Sequence, residues 1–239
     1  MHRFANPTRF LKLAGYIQPW MAWITIILFA VGLYMTFFTA PADYQQGESV
    51  KIMYVHVPAA WMGMFCYAAM AIASGVALIW KHPLADVAAK ATAPVGAAFT
   101  FLALATGALW GKPMWGTWWV WDARLTSMLI LLFLYIGYMA LQGAFDDRAR
   151  GAKASAVLAL VGAVNLPIIK FSVDWWNTLH QPASVIKMDG PSIHPDMLWP
   201  LLIMATAYKT YYVWVMLVRI RQEITDNKVR ILRLKQIHG

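Results

Sequence analysis

Apolar positions in this chain neither alternate nor keep to one face of a helix; they run together in long blocks. Six blocks approach the roughly 20 residues that a helix needs to cross a hydrocarbon core. They are Trp20 to Ala40, about Pro58 to Trp80, about Thr92 to Leu109, about Leu125 to Phe145, about Ala154 to Phe171, and about Met197 to Val218. Pro58 suits the first turn of its helix. The connections are short, and an open sheet would leave backbone groups unpaired in lipid. The pattern predicts an all-α integral membrane protein, a six-transmembrane-helix bundle forming one polytopic domain over residues 1–239. The first block outlasts the 7–15 residues of a signal-peptide core. Ala40-Pro41-Ala42 only loosely resembles a cleavage site, so this block reads as a retained helix.

Composition agrees. Hydrophobic residues make up 60% of the chain and charged residues 13%, against about 25% charged in soluble domains. The single cysteine, Cys66, excludes an internal disulfide and any multi-cysteine metal site. The net charge of +9 is a matter of placement. Fourteen of the 20 Lys and Arg residues fall at the N-terminus, after the second and fourth spans, and in the C-terminal tail. Five (Lys51, Lys112, Arg124, Lys170 and Lys187) fall on the other side. By the positive-inside rule both termini are cytoplasmic. The excess charge is a topology signal, with contact to anionic membrane lipid, and nucleic acid is not invoked. The tail after Val218 continues as helix and is solvated or docked on a soluble partner. The remaining cation, Lys209, lies inside the sixth span.

Three segments face outward. The first, about 41–57, ends in YVHVP and sets His56 just before the second helix; no histidine is expected inside a span. The third, about 172–196, contains DWWNTLHQP, with His180 beside Trp175 and Trp176. Between them lies WGKPMWGTWWVWD, residues 110–122, with five tryptophans. Read as a surface helix, it puts Trp115, Trp118, Trp119 and Asp122 on one face. Tryptophan favours membrane interfaces, and Trp20, Trp23, Trp80 and Trp199 fit that role. Five indoles in one loop exceed it. They suit a platform for a flat conjugated ligand, since stacked aromatic pairs contribute about 0.5–1.5 kcal/mol beyond burial.

The histidines narrow the ligand. Imidazole is a common metal ligand, and His56 and His180 flank the platform from the same side. Haem iron accepts a ligand on each face of its ring. Zinc needs three or four protein ligands, and neither a cysteine nor a close histidine pair supplies them. His194 starts the sixth span in a turn. His2, His82 and His238 fall on the cytoplasmic side. Haem propionates call for cations, and Arg124 and Lys51 are the candidates. Asp122 is expected to pair with Arg124 or to orient an indole N–H.

The tryptophan segment carries the pattern W-G-x-x-x-W-G-x-x-W-x-W-D and resembles the WWD signature of haem-handling proteins. With the size, the spans and the flanking histidines, the whole chain is similar to the haem exporter protein C (CcmC) family of the System I cytochrome c maturation pathway. Larger members of the wider group carry further spans and a second histidine pair, which this chain lacks. The resemblance implies a multi-pass protein of the bacterial inner membrane that binds haem on the periplasmic face. The haem would lie between axial His56 and His180, on Trp115, Trp118, Trp119 and Trp121, with Asp122, Arg124 and Lys51 around it. It further implies an ABC-type complex with an ATPase subunit, a second membrane subunit and a small single-span subunit. Haem would pass to a membrane-anchored haem chaperone. No phosphate-binding G-x-x-x-x-G-K-[ST] is present, so ATP hydrolysis is assigned to a partner and the chain is not read as an enzyme. There is no C-x-x-C-H attachment site, so haem b is held non-covalently and transiently. The alternatives are a permease subunit conducting haem or another solute through its own bundle, favoured by charges deep in a span, and a b-type redox cytochrome.

Overall fold

The computed structural model describes residues 6–182 and 184–238, with side chains to Gln236. His2 and Arg3 lie outside this set, as does the side chain of His238. Seven α-helices follow in order: α1 Pro7–Tyr34, α2 Met53–Trp80, α3 Pro83–Trp115, α4 Ala123–Gly143, α5 Arg148–Gly162, α6 Asn165–Trp175 and α7 Pro195–His238. Six segments are long and apolar enough to cross a membrane, with α5 and α6 sharing one, Arg148–Trp175. The chain is a six-span helical membrane bundle.

The helices start where capping chemistry, rather than hydropathy, dictates. Asn6 accepts the Thr8 amide at 2.9 Å with Pro7 in first position. His82 accepts the Ala85 amide at 3.2 Å ahead of Pro83. A proline in first position has no N–H to leave unpaired. For this reason α1 begins well before Trp20, and α3 begins nine residues before Thr92. At its far end α3 runs through Pro113 to Trp115 and stops at Gly116, whose φ of 74° is left-handed. The expected surface helix over the tryptophan segment therefore does not form: Trp115 closes α3, and 116–122 is irregular.

The fifth span is broken. Pro167 has no amide to offer the Ala163 carbonyl, which takes the Leu166 N–H at 3.1 Å instead. The resulting bend at residues 163–164 turns α6 against α4. The C-terminal tail continues α7 as one helix of 44 residues.

α2 and α3 are the central antiparallel pair, with α4, α5 and α7 packed around them and α1 lying chiefly on α7. Tyrosines fill much of the centre: Tyr54, Tyr67, Tyr135 and Tyr138 are buried. Tyr135 donates to the Gly63 carbonyl at 2.8 Å and occupies space that a side chain at Gly96 would fill. Lys209 sits on the outer surface of α7, away from the interior of the bundle.

Candidate functional site

At the end of the bundle where α3 finishes and α4 and α7 begin, the three connecting segments meet above a cavity of about 360 Å³. Ligand pockets occupy about 300–1,000 Å³. Its lining includes the apolar side chains of Val57, Met64, Leu104, Met128 and Leu201, together with both His56 and His180.

His56 lies in the first turn of α2, not before the helix as the sequence suggested. A short 3₁₀ turn, Glu48–Ile52, feeds straight into α2, and Pro58 removes only the bond to the Tyr54 carbonyl. The imidazole crosses to α3, where Nδ1 lies 2.9 Å from the Ala103 carbonyl and 3.3 Å from the Thr106 hydroxyl. A carbonyl only accepts, so Nδ1 carries the proton and Nε2 keeps a free lone pair. The ring rests on Gly107, where an added Cβ would stand 2.9 Å from its Cε1.

His180 reaches the same state by another route. Its Nδ1 lies 3.0 Å from Oδ2 of Asp122. Thr178 donates to that same oxygen at 2.5 Å and accepts the His180 amide at 3.0 Å. The other carboxylate oxygen accepts the Leu125 amide at 2.8 Å as the N-cap of α4. Burial pushes the Asp122 carboxyl up, but the bonds from Thr178, Leu125 and His180 outweigh it and hold the group below the usual carboxylate range. Burial also lowers the His180 pKa, and Asp122 recovers only part of that. His180 is thus a neutral imidazole with Nδ1–H on a carboxylate and Nε2 unclaimed, the arrangement in which a histidine binds metal. Among the described residues no group of three or more His, Cys, Asp or Glu is placed to hold a bare metal ion.

The tryptophans divide. Trp115 lines the cavity and packs edge-on against His180 at 4.9 Å. Trp110, one of the five indoles of the platform segment but not among those placed around the haem, lines it too, edge-on to His56 at 5.7 Å. Its indole donates to Gln46 at 2.9 Å, which ties the first outer segment to α3. Trp118, Trp119 and Trp121 are not part of the lining. Trp118 is 55% exposed beneath Lys112, and Trp121 is 75% exposed. Trp119 packs on Trp121, and its buried N–H has no protein acceptor.

Arg124 is on the rim, donating to the Ser172 hydroxyl at 3.0 Å and towards the Lys170 carbonyl at 3.5 Å. It does not pair with Asp122, because the cap position gives that carboxylate to Leu125, Thr178 and His180. Nor does Asp122 orient an indole. Lys51 is outside the lining, paired with Glu48 at 2.7 Å and bonded to the Phe37 carbonyl. Lys170, which the sequence offered only as an outward charge, is in the lining. His194 caps α7, its Nδ1 accepting the Asp196 amide at 3.3 Å, and does not line the cavity. Thr178, two residues before His180, had a readable signal: a hydroxyl at that spacing bonds the amide two residues on.

The sequence model described as "Heme exporter protein C" matches residues 1–235. The chain belongs to the Heme exporter protein C family. It is 61% identical to the protein of that name from Bradyrhizobium diazoefficiens over 232 residues, 97% of this chain and 88% of the relative. It is 53% identical to that of Escherichia coli over 201 residues, 84% of this chain and 81% of the relative. A Marchantia polymorpha protein named as a cytochrome c biosynthesis ccmC-like mitochondrial protein is 50% identical over 181 residues, 76% of each chain.

Proposed function

We propose that the chain holds haem as cargo at the periplasmic face of the bacterial inner membrane and releases it for cytochrome c biogenesis. The observation that carries this reading is the matched state of the two imidazoles. Both line one cavity, both have Nδ1 engaged by an acceptor, and both leave Nε2 free. Haem iron supplies two axial positions, one on each face of the ring. The residues fit that group, and the iron would provide the chemistry that the two nitrogens grip.

The chain's own groups then divide the work. Ala103 and Thr106 fix the His56 tautomer, and Asp122 with Thr178 fixes that of His180. Trp110 and Trp115 stand edge-on to the two imidazoles and give the cavity aromatic walls. Arg124 and Lys170 are the cations at the rim able to meet propionates, in place of the pairing expected for Lys51. Trp118 and Trp121, exposed beside the site, offer an aromatic surface to the chaperone that collects the haem. An ABC-type complex with an ATPase subunit, a second membrane subunit and a small single-span subunit supplies the energy.

The test is to purify His56→Ala and His180→Ala separately, with the parent chain, and record haem absorption spectra. Each change is expected to remove the low-spin signature of two nitrogen ligands. Unaltered ligation in both variants refutes the reading.

A further inference from the structure

Among the described residues Lys209 is a cation without a counter-charge, within the last membrane-spanning segment. It stands 14 residues beyond Pro195 on α7, about 21 Å along the helix at about 1.5 Å per residue. Its ammonium lies 5.8 Å over the ring of Phe65. Phe65 is 12 residues into the 28-residue α2, close to its midpoint. Lys209 and Phe65 are both exposed, on the outer side of the α2–α7 contact. None of the ion pairs among the described residues includes Lys209. An intramembrane charge of this kind is retained where it has a partner or lines an aqueous path. Lys209 is outside the bundle, so it lines no internal path.

Lipid headgroups are poorly placed to answer it. Arg219, where the charged tail begins, is 10 residues further on, about 15 Å along the helix, whereas a lysine stem extends about 6 Å. Helical side chains lean towards the helix N-terminus, which here carries the ammonium away from the basic face where Arg219 begins the charged tail. A second copy of this chain cannot supply the charge either. Its 11 Asp and Glu residues include none before Asp43, between Glu48 and Asp86, between Asp86 and Asp122, between Asp122 and Asp146, between Asp147 and Asp174, or between Asp196 and Glu223. Every mid-span position is therefore free of carboxylates.

We infer that the α2–α7 surface around Lys209 and Phe65 docks a transmembrane helix of a different chain that carries an Asp or Glu at mid-membrane depth. The carboxylate pairs with Lys209, and Phe65 and Ile72 supply an apolar flank on α2. The partner helix excludes lipid from the pair, and a pair desolvated in this way depends strongly on both members.

The complex is tested in its native membrane with dicyclohexylcarbodiimide, which condenses an amine and a carboxylate in contact to an amide with loss of water, the carbodiimide becoming the urea. Mass spectrometry of the purified complex should find Lys209 joined to an Asp or Glu in a transmembrane segment of another chain. The internal Lys90–Glu223 pair, at 2.6 Å, serves as the positive control. Lys209→Gln should lower recovery of the complex by about tenfold or more, Lys209→Arg should restore it, and the haem spectrum of the isolated chain should not change. The inference is overturned if Lys90 cross-links while Lys209 does not. It is equally overturned if Lys209→Gln leaves recovery intact, or alters only the amount of co-purified anionic phospholipid. The unchanged haem spectrum separates this failure from failure of the haem site.

Discussion

Replacing Asp122 with asparagine isolates the group that sets the His180 tautomer. The carboxylate has three donors to satisfy: the Leu125 amide at 2.8 Å, the Thr178 hydroxyl and His180 Nδ1 at 3.0 Å. Asparagine has one oxygen and one NH₂. With the oxygen on Leu125 it remains a good N-cap, and the NH₂ then faces His180. Nδ1 must become the acceptor, the proton moves to Nε2, and the lone pair that would meet iron is lost. With the amide turned round, the NH₂ faces the electropositive start of α4 and the cap fails, at about 1 kcal/mol. Loss of such a partner lowers metal affinity about 10–100-fold, equivalent to about 1.4–2.7 kcal/mol. The assay is a haem titration of the purified variant in nanodiscs, followed by absorption, with thermal unfolding alongside. The expected result is a weakened, partly high-spin complex in a protein whose melting temperature falls by no more than a few degrees. Haem affinity within twofold of the parent, with the low-spin spectrum intact, refutes the argument.

Gly107→Ala should weaken haem binding with little net change in the fold: the new methyl meets the His56 ring at 2.9 Å, and that overpacking, at about 1–3 kcal/mol, offsets the about 1 kcal/mol by which alanine favours the helix. Titration should weaken while the melting temperature stays level or falls slightly. Acid should release haem. Burial holds the His180 pKa below its ordinary value, of about 6.5, so its contribution is complete above that pH. Haem binding weakens as the pH falls through that lower folded value, where protonation of Nε2 removes the lone pair the iron needs. A spectral titration should be flat from pH 8 to about 6.5 and change only below. Trp115→Ala should lower haem affinity, whereas Trp121→Ala, at a site 75% exposed, should leave the spectrum unchanged and slow transfer to the chaperone in a stopped-flow assay.

The six spans were legible because apolar blocks of that length have one stable solution in lipid. Their limits were not, because Asn6-Pro7, His82-Pro83 and Asp122 set helix starts by capping, which hydropathy does not register. His56 and His180 could be singled out as a pair on one face. Their engaged Nδ1 atoms could not, since one acceptor is a backbone carbonyl 47 residues away and the other a carboxylate 58 residues away. Proximity in sequence offers Asp122 either Arg124 or an indole N–H; the N-cap geometry of α4 gives it Leu125, Thr178 and His180 instead. The face shared by Trp115, Trp118, Trp119 and Asp122 depends on a helix over that segment, and Gly116 terminates it.

The two imidazoles are mounted differently. His56 belongs to a helix and is wedged against its neighbour, while His180 hangs from a segment with neither helix nor strand, fastened through Thr178 and Asp122. Should the cavity hold a porphyrin as proposed, the two jaws of this vice would differ: a visiting acceptor would free the iron first on the His180 side, whose mount is a loop, and last on the His56 side, so that departure would have an order.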